Sequence, residues 1–208
     1  GRRFQLGPGS LTITRPWQRH RVGAPRVTAS RLIWVILDVG VRRPNQTWRW
    51  PPWLLFDKPM KRRLTQLLSH NEQPVWRVNR TLATAFESLA AEISTPAGPT
   101  RHARLKVRLN DLWLELTGLL ERSGAALDAS LSSSERTVRL FLAELAQRAD
   151  EPWTLETMAV QCGIGRSCFS RHCRQLTNRT PIEHLTHCRL ELAARLLRSQ
   201  PERSVTDI

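Results

Sequence analysis

Acidic side chains and long apolar runs are both scarce in this chain. Its 208 residues include 18 Asp and Glu against 32 Lys and Arg, which gives a formal net charge of +14. An excess of this size points to a polyanion such as nucleic acid, or to an anionic membrane face. The longest apolar run, Leu32–Leu37, is far too short to span a bilayer, and no signal peptide opens the sequence. We therefore expect a soluble, cytoplasmic protein with no membrane partner.

Cysteine is absent before residue 162, and metal-binding spacings are absent throughout. No Cys-x-x-Cys pair occurs, and His20 is the only His before residue 70. The four Cys fit small buried side chains better than zinc ligands; they are Cys162, Cys168, Cys173 and Cys188. We expect no metal, no cofactor and, in a cytosolic protein, no disulfide.

The basic excess lies at the N-terminal end of the chain. Residues 1–63 hold 14 basic and 2 acidic residues, whereas residues 153–208 hold 8 and 5. A prediction of DNA binding must therefore rest on local pattern. The basic run Lys58–Arg63 fits either a phosphate patch or a solvated helix face, and the second is favoured because no aromatic stacking pattern follows it.

The first 57 residues have β character. Leu11 and Ile13 alternate with Thr, and Arg31–Val39 is a strand-length apolar run. We predict the remainder of a small sheet or barrel. Three tryptophans here fit either a ligand pocket or packing at the end of the barrel: Trp48, Trp50 and Trp53.

From about Lys58 to residue 130 the apolar period is helical, and the third predicted helix is the most regular. Its leucines are spaced 4, 3, 4, 3, which lets two helices pack knobs into holes; they are Leu105, Leu109, Leu112, Leu116 and Leu119. A helix lying on its own domain is favoured because two heptads are few for a coiled coil. A homodimer through Leu105, Leu109, Leu112 and Leu116 is the alternative.

Residues 153–176 have the spacing of a helix-turn-helix. Thr154 caps a short helix, after a preceding helix that opens with the capping box Ser132-Ser-Ser-Glu135. Ala159 and Gly163 supply the small residue where two helices cross and the residue that tolerates positive φ at the turn. The predicted core of the unit is apolar, and it comprises Leu155, Met158, Ala159, Cys162, Ile164, Phe169 and Cys173.

The outward face of the second helix is basic. It carries Arg166, Ser167, Ser170, Arg171 and Arg174. Between Gly165 and Thr180 there are four Arg and no acid. This pattern favours a helix laid in a major groove, with its N-terminal half at base edges and its flanks on phosphates.

A further helix follows, opened by the capping box Thr180-Pro181-Ile182-Glu183. With it, residues 135–208 resemble the DNA-binding domain of AraC/XylS-type transcriptional regulators, above all in the Pro-x-x-x-Leu-x-x-x-Arg-Leu-x-x-Ala-x-x-Leu-Leu stretch from Pro181 to Leu197. In that family this helix links two helix-turn-helix units, and Ser204–Ile208 resembles the opening of the second. Because the chain starts at Gly1 and stops there, we expect a fragment.

The resemblance implies roles for single residues. Arg166–Gln175 would be the first recognition helix, with Arg166, Ser167, Ser170 and Arg171 facing DNA, and Arg189 would brace the two units. Gly165 stands where the family often has Ser, which caps a helix better. At the other end of the chain, Gly7–Leu11, Pro16 and His20 resemble the second half of the cupin-type barrel with which many such regulators sense a small molecule.

The expected fold is α+β: a partial cupin-like barrel (1–57), an all-α linker or dimerisation region (58–130) and a truncated AraC-type DNA-binding domain (131–208). The expected function is sequence-specific transcriptional regulation, mainly activation, without enzymatic activity. Its partners would be double-stranded DNA, an effector of unknown identity and, by resemblance, RNA polymerase. Two alternatives remain: a cupin-fold metal-dependent enzyme, and a non-specific nucleic-acid binder that uses the basic N-terminal region.

Overall fold

The chain forms two compact units in a computed structural model, which describes residues 3–23, 26–200 and 202. The first unit comprises the chain up to Arg42 together with Thr47–Leu131. The second comprises Arg43–Gln46 and the chain from Ser132 onward. Ser204–Ile208, where the sequence resembles the opening of a second helix-turn-helix, lies outside the described residues.

The first unit is mostly helical, with one small sheet. Strand β1 (Ser10–Thr12) pairs antiparallel with β2 (Val75–Arg77), and Leu11 lies opposite Trp76. The helices are α1 (Lys58–Ser69), α2 (Arg80–Ser94) and α3 (Arg101–Arg122). The side chains of Asp57 and Asn79 accept backbone N–H groups at the starts of α1 and α2, which satisfies donors that a helix leaves unpaired.

The β-rich N-terminal region predicted from the sequence differs from the structure. Among the described residues of 1–57, β1 is the only strand, and the run Arg31–Val39 contains none. Trp34 and Ile36 in this run are 63% and 90% exposed. A strand needs a neighbouring strand along its length to satisfy its backbone. The sheet among the described residues consists of β1 and β2, and the run has one backbone hydrogen bond at its end, from Arg49 N to Val39 O at 2.7 Å. The structure therefore shows an α+β chain with a two-stranded sheet and does not show a cupin-like barrel.

The tryptophans of the first unit pack against its core. The Trp50 ring lies tilted against Trp48 at 5.7 Å and edge to face with Trp113 at 5.8 Å, measured between ring centroids, and its Nε1 donates to Thr65 Oγ1 at 2.9 Å. Trp53 is also partly buried against the same cluster. The sequence left open whether Trp48, Trp50 and Trp53 line a ligand pocket or pack at the end of a barrel. In the structure all three pack against the core of the first unit.

The leucine seam of α3 faces the core of its own unit. Leu112 and Leu116 are 2% and 8% exposed, and Leu105, Leu109 and Leu119 are partly buried against the same cluster. The interpretation of a helix lying on its own domain is therefore correct. A dimer through this seam is not compatible with the structure, because a second copy would have to displace the helix from its core.

The described residues of the second unit form four α-helices around a separate core. They are α4 (Ser134–Leu145), α5 (Leu155–Cys162), α6 (Arg166–Thr177) and α7 (Pro181–Ser199). The cap of α4 is Ser133, whose side chain accepts from Arg136 N, and not Ser132 as predicted. The shift of one residue follows from a 3-10 turn over Ala129–Ser132, which includes the predicted cap. No helix among the described residues is long and apolar enough to cross a membrane.

Phe169→Ala tests the core of the second unit. The ring is fully buried, so its loss should lower the free energy of unfolding by about 3–5 kcal/mol through lost burial and a residual cavity. Urea titration followed by far-UV circular dichroism measures the change. The control is Val160→Ala on α5, where the side chain is 63% exposed and the expected loss is below about 0.5 kcal/mol. Equal losses in the two variants would contradict the described packing.

Candidate nucleic-acid interface

The turn between α5 and α6 depends on Gly163. Its φ is +64° and its ψ is 37°, a left-handed conformation that a residue without Cβ adopts at little cost. Its N–H donates to Val160 O (2.9 Å), and that of Ile164 donates to Ala159 O (3.1 Å), so the last carbonyls of α5 are satisfied inside the turn. Ala159 is buried, as expected for the close approach of the two helices. At the other end of α5, Thr154 and Thr157 form a reciprocal capping box.

Two buried side chains fix the orientation of α6. Phe169 and Cys173, four residues apart on one face, are both fully buried. The Phe169 ring meets Phe141 edge to face at 5.8 Å, and Phe141 meets Trp153 in the same way at 5.2 Å. These contacts hold α6 against α4 and against the segment before α5. The predicted core residues Leu155 and Ile164 are partly buried against the same cluster.

The opposite face of α6 is exposed to solvent. Of the five residues predicted to face outward, four are exposed and Ser170 is half-buried; the exposed ones are Arg166, Ser167, Arg171 and Arg174. Helical periodicity places Ser167, Arg171 and Arg174 on the side away from Phe169 and Cys173, and Ser170 at the flank of that side. Arg166 is the first residue of α6 and is exposed at its N-terminal end.

This surface is strongly basic, with one carboxylate at its edge. Helix α6 has no acidic residue in its sequence. Arg166, its first residue, forms an ion pair through Nε with Glu156 of α5 at 3.3 Å, and both side chains are more than 60% exposed. Arg171 lies over Cys168, with its Nη2 at 3.5 Å from Sγ. Gly165, the residue before the helix, provides no side-chain cap. The first N–H groups of α6 are therefore available to an anion such as a phosphate.

Helix α7 is tied to the segment that precedes α5. Arg189 donates from Nε to Ala149 O (2.8 Å) and from Nη2 to Glu151 O (3.0 Å). Glu151 in turn accepts two hydrogen bonds from Arg148, at 2.6 and 2.8 Å, and the Arg148 guanidinium lies 5.1 Å from the centre of the Trp153 ring. The brace at Arg189 therefore acts within one helix-turn-helix unit in the described residues. Its proposed part in joining two units stays a prediction.

Three of the four thiols of the second unit are buried and behave as small apolar groups. Burial raises the pKa of Cys162 to about 12, and it also raises the pKa values of Cys173 and Cys188. These three groups are therefore protonated at neutral pH, and a protonated thiol is a poor metal ligand. The part of the chain that the structure describes contains no group of three or more His, Cys, Asp and Glu able to hold a metal ion.

Sequence reasoning missed two kinds of contact. The first is the pair of Glu156 with Arg166, which lie ten residues apart on different helices. The second is the set of contacts around Arg148, Trp153 and Arg189. A basic residue three positions before Glu151 was a local signal for the pair of Arg148 with Glu151, but no local pattern indicates that Arg189 reaches backbone carbonyls about 40 residues away.

A short capped helix, a left-handed glycine turn and a basic helix anchored by Phe169 together define a helix-turn-helix DNA-binding unit. Comparison with known proteins gives the family. Residues 145–186 match the model of the bacterial regulatory helix-turn-helix proteins of the AraC family. These residues are an AraC-type helix-turn-helix, and the family identified from the sequence is confirmed for this part of the chain.

One curated relative shows the same likeness. Over 58 residues the chain is 36% identical to the HTH-type transcriptional regulator AlkR of Acinetobacter baylyi (strain ATCC 33305 / BD413 / ADP1). The similar stretch covers 28% of this chain and 19% of AlkR, so the chain matches about a fifth of that relative's length. No solved structure matches the chain significantly. The matches support a DNA-binding transcriptional regulator.

Arg189→Ala tests the brace between α7 and the segment before α5. Two carbonyls lose a charged donor, so we expect the free energy of unfolding of the second unit to fall by about 1–3 kcal/mol. Thermal or urea denaturation measures the loss. Arg198→Ala is the matched control, because Arg198 donates to Ala194 O of its own helix and to no other element among the described residues. A loss in the control as large as that in Arg189→Ala would show that the brace adds nothing beyond charge.

Proposed function

We propose that the chain belongs to a sequence-specific DNA-binding transcriptional regulator that responds to a small-molecule effector and activates transcription. Helix α6 would enter the major groove, with Arg166, Ser167, Ser170 and Arg171 at base edges and Arg174 on a phosphate. The proposal assigns no catalytic role to any residue. A cytoplasmic location goes with it.

One observation carries this proposal: the basic face of α6 lies opposite the buried Phe169 and Cys173. A rigidly anchored helix presents its outward side chains in a fixed geometry, and reading base edges requires this. The acid-free sequence from Gly165 to Thr180 adds attraction to phosphates. The match to the AraC family supports the same function.

The remaining parts of the proposal follow from the resemblance. Residues 1–57 would belong to a cupin-like effector-binding domain, residues 58–130 to a helical linker and residues 131–208 to the DNA-binding domain. The resemblance of Gly7–Leu11, Pro16 and His20 to half of such a barrel supports the first of these assignments. Effector binding would shift the population between two arrangements of the regulator. RNA polymerase and a second copy of the chain would be its protein partners.

Selection from random duplex DNA distinguishes this proposal from charge-driven binding. The full chain is mixed with a pool of random duplexes at moderate salt, and the bound fraction is sequenced over several rounds. We expect one enriched motif. Binding without enrichment, which falls steeply with salt for every duplex, would indicate a non-specific binder. Stoichiometric metal in the purified chain would favour the cupin-fold enzyme instead.

Arg171→Ala is the sharpest single variant for base reading. A bidentate Arg contact to a guanine is worth about 1–3 kcal/mol against the wrong base, so the variant should bind the selected motif more weakly and relax one position of it. Gel-shift titration against the motif and its single-base variants measures both effects. Arg62→Ala on α1, also an exposed Arg, is the control. A uniform loss over all duplexes in Arg171→Ala would disprove base reading by this residue.

Glu156→Gln tests whether the ion pair positions Arg166. The carboxylate binds Nε, which leaves the two terminal nitrogens free for N7 and O6 of a guanine. We expect the variant to lose preference at one base pair of the selected motif. The matched control is Glu191→Gln, which removes a carboxylate paired with His187 on α7. A uniform rise in affinity for all duplexes in both variants would mean that only the net charge had changed.

A further inference from the structure

The second unit includes a short turn from the N-terminal part of the sequence, Arg43–Gln46. Gln46 N donates to Arg43 O at 3.1 Å, and Pro44 and Asn45 occupy the two central positions, as is common in β-turns. All four residues are half-buried. The helix-turn-helix therefore packs against a piece of chain that lies more than 100 residues earlier in the sequence, at a separation of 117 for the contact of Arg43 with α5.

The side chains of this turn bind carbonyl groups at the C-terminal end of α5. Arg43 donates from Nη1 to Gln161 O at 3.3 Å and to Val160 O at 3.4 Å. Asn45 donates from Nδ2 to Cys162 O at 3.1 Å. The carbonyl end of a helix carries partial negative charge, so a cation there interacts favourably with the helix dipole. The two side chains thus form a C-terminal cap on α5 that comes from a distant part of the chain.

Gly163 leaves the space that the Arg43 guanidinium occupies. A Cβ on Gly163 would meet Nε, Cζ and Nη2 of Arg43. This constraint is separate from the left-handed φ of Gly163, because free volume beside a residue and its backbone conformation are different requirements. Arg43 also acts on the neighbouring thiol: burial raises the pKa of Cys162 to about 12, and the charge of Arg43 opposes that rise. The guanidinium therefore lies at the turn between α5 and α6.

We propose that Arg43 and Asn45 are positioning residues for DNA reading, because they hold the end of α5 from which α6 departs. The connection between the two helices spans only residues 163–165, so the direction of α6 depends on the last turn of α5. Side chains that read base edges have to be held within about 0.5 Å of their productive positions. The role in reading rests on the proposed function, whereas the cap itself is independent of DNA.

The first experiment tests the cap without DNA, by amide hydrogen exchange of the full chain followed by NMR. In R43A/N45A we expect exchange at Gly163 and Ile164 to be about tenfold faster, because the last turn of α5 opens more often without its charged donor. The matched control is Arg42→Ala, which removes a charge from the adjacent residue, paired with Asp38. Unchanged exchange in R43A/N45A overturns the proposal.

If R43A/N45A loses helical circular dichroism, Asn45→Asp decides the matter. The two side chains have the same shape, but a carboxylate cannot donate to Cys162 O and is repelled by the C-terminal end of a helix. We expect faster exchange at Gly163 and Ile164 in this variant too. Exchange as slow as in the wild type would overturn the cap.

The second experiment compares binding to the selected motif and to a random duplex in gel-shift titrations. In R43A/N45A the preference for the motif should fall about tenfold, the discrimination of one well-placed base contact. Arg42→Ala should keep the preference. Equal losses on both duplexes would show that Arg43 acts only through its charge, and an unchanged preference would overturn positioning alone. A wild type that selects no motif would overturn the proposed function and the reading role together, and hydrogen exchange would still decide on the cap.

Discussion

Burial of Phe169 determines which side of α6 faces solvent. The ring lies inside a cluster with Phe141 and Trp153, edge to face at each step. If α6 rotated about its axis to bring an arginine inward, it would expose this ring and bury a charge, and each change is costly. The basic surface is therefore a consequence of apolar packing. The short turn at Gly163 then sets the direction of α6 relative to α5.

The hydrogen bonds around the second unit reinforce the same arrangement. Arg189 reaches from α7 to the carbonyls of Ala149 and Glu151, and Arg148 joins Glu151 to the face of Trp153. Trp153 also donates its Nε1 to Arg148 O at 2.8 Å. These contacts hold in place the Trp153 ring on which Phe141 packs. The contacts link α7 to the core that anchors α6, and none of them involves an α6 residue.

The two regions of the chain differ in how well local pattern predicts structure. In residues 154–185, caps, turn and core are set by near neighbours, and Thr154, Gly163 and Thr180 have their predicted roles. The run Arg31–Val39 has the composition of a strand, yet it does not form one, because a strand forms only with a neighbouring strand along its length. The leucine spacing of α3 correctly indicated an apolar face. Spacing alone does not show whether that face packs against the same unit or against a second copy of the chain.

The sequence by itself determined the caps at Thr154 and Thr180, the left-handed turn at Gly163 and the family of the helix-turn-helix, because each depends on residues within a few positions of one another. Only the tertiary structure decided that the α3 leucines pack into the core of their own unit and that Val107 and Leu114 stay exposed to solvent. It also decided that Glu156 forms an ion pair with Arg166. These depend on which surfaces meet in space. The free energy that selects them comes from burial and from pairing between distant residues, which no local pattern records.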